Sequence, residues 1–114
     1  MANKNNIFKL EMLLLCVINQ HDCYGYEITK QIKNDSHNLI DIKDGTMYPI
    51  LYKLLEQDYI SCYEQQVGRK IRVYYHIEEK GKEKLNDMIH EFENMIDGIY
   101  NIIGKTTGGN HNES

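Results

Sequence analysis

The sequence contains no tryptophan, one proline and three cysteines, and it lacks any long apolar run. No segment approaches the ~18 consecutive apolar residues of a membrane-spanning helix, and the polar start of the chain does not have the pattern of a secretory signal. The cysteines are odd in number and show no Cys-x-x-Cys spacing, which argues against a disulfide framework and a structural zinc site. We therefore expect a cytoplasmic protein with reduced thiols and no metal or cofactor.

An excess of basic residues is also missing: the formal net charge is −4, whereas domains that bind nucleic acid are usually basic. The charge is distributed unevenly, however. Residues 86–98 contain four acidic residues and no lysine or arginine, while residues 65–76 contain three basic residues and no acidic one. The sequence thus predicts a polarised molecule with one basic segment available for an anionic partner.

No catalytic motif is present. The sequence has no glycine-rich phosphate loop, no nucleophile elbow and no paired carboxylates on a known scaffold. The triplet His21-Asp22-Cys23 has ligand-type side chains, but three adjacent residues cannot all converge on one metal ion and no second cluster follows. We expect a protein that is not an enzyme.

Apolar residues recur at steps of three and four over residues 7–18, which predicts a first helix. A second helix is predicted over residues 24–33. Residues 39–42 are rich in β-branched side chains and are expected to form a short strand that pairs with another. Residues 44–46 offer N-cap chemistry for a third helix, with Pro49 near its first turn.

The second half of the chain predicts a hairpin and a long helix. Residues 59–67 and 71–77 are predicted strands, the second with strict apolar alternation, and the Gly-containing turn 68–70 joins them. An amphipathic helix is expected over residues 78–103. The polar segment from residue 104 to the end predicts disorder.

This element order is typical of a mainly α protein with a small β-hairpin (α+β), namely a winged helix-turn-helix with an added C-terminal dimerisation helix. We expect a winged-helix DNA-binding domain over residues 1–78. The dimerisation helix would then cover residues 79–104, and a disordered tail residues 105–114.

Two predicted surfaces suit double-stranded DNA. Once its apolar stripe is buried, the third helix keeps a face with hydroxyl groups and one lysine, which suits phosphates and base edges in a major groove. Its residues are Thr46, Tyr48, Pro49, Tyr52 and Lys53. The hairpin adds three cations for the phosphate backbone, which are Arg69, Lys70 and Arg72. The alternative is a winged-helix protein-interaction module without DNA affinity, which the net acidity favours.

The last predicted helix has apolar residues seven apart, with a second set interleaved. It is longer than ~35 Å, more than a small domain can cover, so a second copy is its expected partner; folding back onto the protomer is the alternative. The predicted dimer interface consists of Leu85, Met88, Ile89, Phe92, Met95, Ile96, Ile99 and Ile102. Phe8 and Met12 could join it. A two-fold dimer places two recognition helices about one DNA turn apart, which predicts a palindromic operator.

Three blocks occur in order along the chain: YGYEI at residues 24–28, DGTMYPIL at residues 44–51, and GRK at residues 68–70 followed by Tyr74-Tyr75. In these blocks, residues 8 to 85 resemble the PadR family of transcriptional regulators. The combination is more specific than any one block. The resemblance implies a winged helix, a dimer formed through the C-terminal helix, and a regulator that is usually a repressor relieved by a small apolar or phenolic effector.

The resemblance also implies roles for individual residues. The positions that match the family's DNA contacts are Thr46, Tyr48 and Pro49 in the third helix and Arg69 and Lys70 in the hairpin. Tyr26 and Lys30, on the preceding helix, could touch backbone phosphates. Without tryptophan, an effector pocket has few large side chains to use, and the candidates are Phe8, Met12, Phe92 and Tyr100.

Overall fold

A computed structural model describes residues 8–107 of the chain. In chain order, its elements are α1 (Leu10–Gln20), β1 (Cys23–Tyr24), α2 (Gly25–Asp35), α3 (Asp44–Glu56), β2 (Ile60–Val67), β3 (Lys70–Ile77) and α4 (Glu79–Thr107). This order confirms the predicted α+β winged helix with an added C-terminal helix. Within the described residues, no helix is long and apolar enough to cross a membrane.

The core lies where α1, α2 and α3 meet. The apolar stripe of α1 is fully buried at Leu14, Leu15 and Ile18, and it contacts both α2 and α3. The partners that these helices bury completely are Ile28, Met47, Leu51 and Leu54. Since each such side chain contributes roughly 1.5–3 kcal/mol on burial, this three-helix core fixes where the exposed face of α3 points.

The three strands form an antiparallel sheet in the order β1-β3-β2. The hairpin register pairs Ile60 with Ile77 at its base and Val67 with Lys70 at its tip, which confirms the predicted hairpin. On the other edge, Cys23 pairs with Tyr75. The β2–β3 hairpin, residues 60–77, is the wing of this fold, and it is therefore joined to the residues that lead directly into α2.

The strand predicted over residues 39–42 is wrong, because this segment forms the connection to α3. His37 and Asn38 have φ of 55° and 69° and turn the chain away from the sheet. The Ile40 N–H then donates to Ser36 Oγ at 2.9 Å, so a side chain replaces a strand partner. Leu39 is 86% exposed and only Ile42 of this segment is buried.

The start of α3 also differs from the prediction. Lys43 occupies the N-cap position in an extended conformation, and its carbonyl accepts the N–H groups of Thr46 and Met47. Asp44 thus lies in the first turn, where its carboxylate interacts favourably with the helix dipole. Pro49 lies one turn later than predicted, inside the helix, where it removes the N–H that would bond the Gly45 carbonyl.

The long helix α4 has two different halves. In its first half, Leu85 and Met88 are buried in the protomer's own core, and Ile89 and Phe92 pack against that core. In its second half, Met95 is 52% exposed and Ile102 67% exposed. At ~1.5 Å per residue α4 is about 43 Å long, so its first half packs on the body while the second half extends from it.

The disordered tail predicted over residues 105–114 begins too early, since α4 continues to Thr107. Gly104 alone does not end the helix, since a single glycine costs only about 1 kcal/mol in a helix interior. The remaining residues of the predicted tail lie outside the part of the chain that the structure describes.

Candidate nucleic-acid interface

The exposed face of α3 presents four of the five residues predicted for it. Thr46, Pro49, Tyr52 and Lys53 are all exposed, and the side chain of Tyr52 is 58% exposed. Hydroxyl groups, an aromatic ring and an ammonium group on one helical face can reach phosphates and base edges in a major groove. This part of the site is arranged as predicted.

Tyr48, the fifth residue, turns partly inward instead. Its ring lies 6.1 Å from that of Tyr52 between centroids, while its hydroxyl packs against the first residue of α2, Gly25. A Cβ atom at Gly25 would overlap that hydroxyl. Burial raises the pKa of Tyr48, and the nearby Asp44 adds to the shift. Gly25, the glycine of the YGYEI block, thus makes room for the Tyr48 side chain of α3, which the sequence did not reveal.

We expect Gly25→Ala to destabilise the fold by about 1–2 kcal/mol, the usual cost of inserting a methyl group into a packed site. The added methyl would displace Tyr48, so DNA binding would also weaken several-fold. Urea unfolding and fluorescence anisotropy with a labelled duplex measure the two effects. Adding Tyr48→Phe removes the overlapping hydroxyl and should recover most of the lost stability. No recovery in the double variant would contradict this packing.

The hairpin tip is a two-residue turn of Gly68 and Arg69 between the paired Val67 and Lys70. Gly68 has φ of 63°, which glycine adopts without steric cost. Arg69 and Lys70 are exposed. Among the described residues, no carboxylate forms a salt bridge with either cation. The tip therefore presents two unneutralised charges on a tight turn.

Arg72, the third predicted wing cation, is placed differently. Its guanidinium carbon lies 4.3 Å from the centroid of the Tyr24 ring, so it is stacked on the face of the sheet that points away from the core.

On α2, the predicted phosphate contacts Tyr26 and Lys30 are both exposed, with the Lys30 Nζ 5.5 Å from the Tyr26 ring centroid.

Sequence reasoning missed a polar network at the base of the wing. Asp22 accepts a hydrogen bond from the Tyr63 hydroxyl at 2.8 Å, and His76 Nδ1 lies 2.8 Å from its other carboxylate oxygen. Partial burial acts to raise the pKa of Asp22, but the hydrogen bonds from His76 and Tyr63 outweigh it and hold that pKa below its ordinary value. The alternation of β3 placed His76 on this polar face, but no sequence signal linked it to a residue 54 positions away.

The helices and the wing agree with the results of comparison with known proteins. The model of the transcriptional regulator PadR-like family matches residues 14–87. The chain belongs to the PadR-like family of transcriptional regulators. This is a family of regulators and not of enzymes, and the match confirms the resemblance found in the sequence.

Individual proteins are similar to this PadR-like chain in sequence and in structure. An uncharacterised protein of Lysinibacillus sphaericus is 35% identical over 85 residues, 73% of this chain and 77% of that protein. The structure of a transcriptional regulator from Clostridium thermocellum superposes with a TM-score of 0.74 at 30% identity, over 79% of this chain and 88% of that one. Bacillus subtilis PadR in complex with operator DNA gives 0.66 at 25% identity, over 74% of this chain and 48% of PadR.

In this PadR-like chain, a partly open cavity of about 150 Å³ lies between α4 and the start of α1 with the two residues before it. It brings together three of the four residues predicted for an effector, Phe8, Met12 and Phe92, and adds Met88 and Met95. Tyr100 is not part of its lining. The fourth predicted effector residue is thus separated from the other three, because it lies two helical turns beyond Phe92 on α4.

The three cysteines are all free. Cys23 is buried under the sheet, and burial raises the pKa of its thiol to about 12, so it stays protonated and unreactive at neutral pH. Within residues 8–107, no group of three His, Cys, Asp or Glu side chains could hold a metal ion.

Proposed function

We propose that this chain is a sequence-specific DNA-binding transcriptional regulator that acts in the cytoplasm as a homodimer. The observation that carries the proposal is a single domain that presents the exposed face of α3 and a cationic hairpin tip, on a hairpin whose strand β2 contacts α3. The operator complex of Bacillus subtilis PadR supports the same use of this fold. The net charge of −4 does not oppose it, because a cluster of four acidic residues lies on α4, away from the wing.

The dimer would form through the second half of α4. The predicted interface residues that lie outside the protomer's core are Met95, Ile96, Ile99 and Ile102, whereas Leu85 and Met88 support α4 from within the protomer. An apolar face beyond the body favours an isologous contact with a second copy. The two-fold axis would set two α3 helices about one DNA turn apart, on a palindromic operator.

The proposal extends to a repressor that a small effector relieves. The cavity between α1 and α4 has room for about one aromatic ring, and its lining is mainly apolar, with Lys9 and Glu91 as its charged residues. Because it adjoins Met95, a ligand there would contact the helix that sets the dimer geometry. A ligand that binds one arrangement of α4 better than another would shift the spacing of the two DNA-binding helices.

The test of DNA binding is the salt dependence of affinity for a labelled mixed-sequence 30-base-pair duplex. Replacing Arg69 and Lys70 by alanine should weaken binding and flatten the slope of log K against log salt. The expected change is about 0.9 for each phosphate that is no longer neutralised, or roughly 3.6 for the four phosphates that these side chains would engage in a dimer. Anisotropy titrations at several salt concentrations measure both quantities.

The matched control removes the same charge from α4, as Lys82→Ala with Lys84→Ala, and should leave the slope within about one unit of the wild type. If the hairpin variant keeps the wild-type affinity and slope, the wing does not bind phosphates. A wild-type chain that binds no duplex even at low salt would favour the protein-interaction module instead.

A further inference from the structure

We infer that Tyr24 is a positioning residue for DNA binding: its ring holds the guanidinium of Arg72 in place on the outer face of the wing. This inference rests on the proposed function, since it assigns Arg72 a phosphate contact. It goes beyond that function in naming a side chain that acts through another, and that needs no contact with DNA of its own.

The β3 alternation and the sheet register create the arrangement. Tyr24 pairs with Tyr74 across the sheet, and Arg72 lies two residues from Tyr74 on the same face. The Arg72 guanidinium carbon is 4.3 Å from the Tyr24 ring centroid, well inside the range of a cation–π contact. Among the described residues, Arg72 forms no salt bridge, so the ring is the partner that orients it.

The Tyr24 ring is itself held by a second aromatic ring. It meets Tyr74 edge to face at 5.5 Å between centroids, and Tyr74 stacks on Tyr63 at 5.7 Å. The Tyr63 hydroxyl donates to Asp22 at 2.8 Å. A continuous chain of contacts thus runs from Asp22, the residue before β1, through three aromatic rings to Arg72, and each ring limits the motion of the next.

A stacked guanidinium has fewer rotamers to lose when it binds a phosphate, and its N–H groups remain available at the edge of the plane. A lysine at the same position would carry the charge without the planar stack. Stacking on the outer face of the wing therefore restricts the orientation of the Arg72 guanidinium, whereas no aromatic ring among the described residues stacks on Arg69 at the tip.

The experiment is a double-mutant cycle on affinity for the mixed-sequence 30-base-pair duplex at low salt. Tyr24→Leu and Arg72→Ala should each weaken binding about fivefold and flatten the salt slope equally, and the double variant should be no weaker than either. Tyr24→Phe keeps the ring and should bind as the wild type does. Additive losses, or wild-type binding by Tyr24→Leu, would overturn the inference.

Two further measurements keep the result decisive if Tyr24→Leu does not fold. Arg72→Lys changes only a wing side chain and should lose most of the Arg72 contribution although the charge is kept; wild-type affinity would overturn the inference. In the protein without DNA, the Arg72 side-chain protons should show an upfield ring-current shift in NMR spectra, and ordinary shifts would equally overturn it. Failure of the wild type to bind any duplex, with that ring-current shift present, would instead count against the proposed function.

Discussion

Replacing both Met95 and Ile99 with lysine is expected to convert the proposed dimer into a monomer and to lower affinity for the operator by at least about 100-fold. Both side chains lie on the second half of α4, outside the protomer's core. Burying each against a partner contributes roughly 1.5–3 kcal/mol. Because a two-fold interface repeats every substitution, the variant would place four ammonium groups where apolar side chains should meet, and their desolvation is unfavourable.

The fall in DNA affinity follows from the absence of bivalency in a monomer. A dimer that engages one half-site holds its second α3 at high effective concentration near the other, which is worth a factor of 10²–10⁴ in affinity. The added lysines carry positive charge, which by itself would strengthen DNA binding. A fall in affinity in this variant therefore cannot be attributed to electrostatic repulsion.

Sedimentation velocity at micromolar concentration measures the assembly state, and anisotropy with a duplex selected from random sequence by the wild type measures affinity. The control adds the same charge at exposed polar positions of α4, as Asn86→Lys with Asn101→Lys, and should remain a dimer. A dimer that persists with lysine at Met95 and Ile99 would show that another surface joins the copies.

The elements of the fold could be predicted because their patterns are local. The strict alternation over residues 71–77 predicts both a strand and its two faces, and the structure places Tyr75 and Ile77 in the core. The strand predicted over residues 39–42 was wrong because β-branched residues indicate extended backbone, not the presence of a pairing edge. That edge of β3 is taken by Cys23–Tyr24, a pair too short to stand out in the sequence.

Of the candidate nucleic-acid interface, the sequence could predict only the residues that are exposed. Thr46, Tyr52 and Lys53 could be read from the helical period, since an apolar stripe defines its polar opposite. The inward turn of Tyr48 depends on Gly25, and the stacking of Arg72 depends on Tyr24; both pairs are brought together by the fold. A heptad pattern likewise cannot distinguish a residue that faces its own core, such as Leu85, from one that faces a partner, because both must be apolar.

Gly81→Ala is expected to lower the stability of the protein by about 2 kcal/mol, although alanine is the better helix former. This glycine lies in the first turn of α4 and is buried. A Cβ atom there would overlap the carbonyl oxygen of Tyr59 and come within 3.0 Å of Ile77 Cγ1. The carbonyl is backbone and accepts the Glu78 N–H at 3.0 Å, so it cannot rotate aside as a side chain could.

The sign of this effect separates packing from helix propensity. Propensity alone would make Gly81→Ala stabilising by about 1 kcal/mol, whereas forcing a methyl group against fixed backbone costs about 3 kcal/mol. Thermal unfolding at fixed protein concentration should show a melting temperature lower by roughly 10 °C. Gly45→Ala, whose added methyl meets nothing within 4 Å, should leave it unchanged or slightly higher. If Gly81→Ala also raised the melting temperature, the first turn of α4 would not lie against Tyr59, and α4 would leave the wing at a different angle.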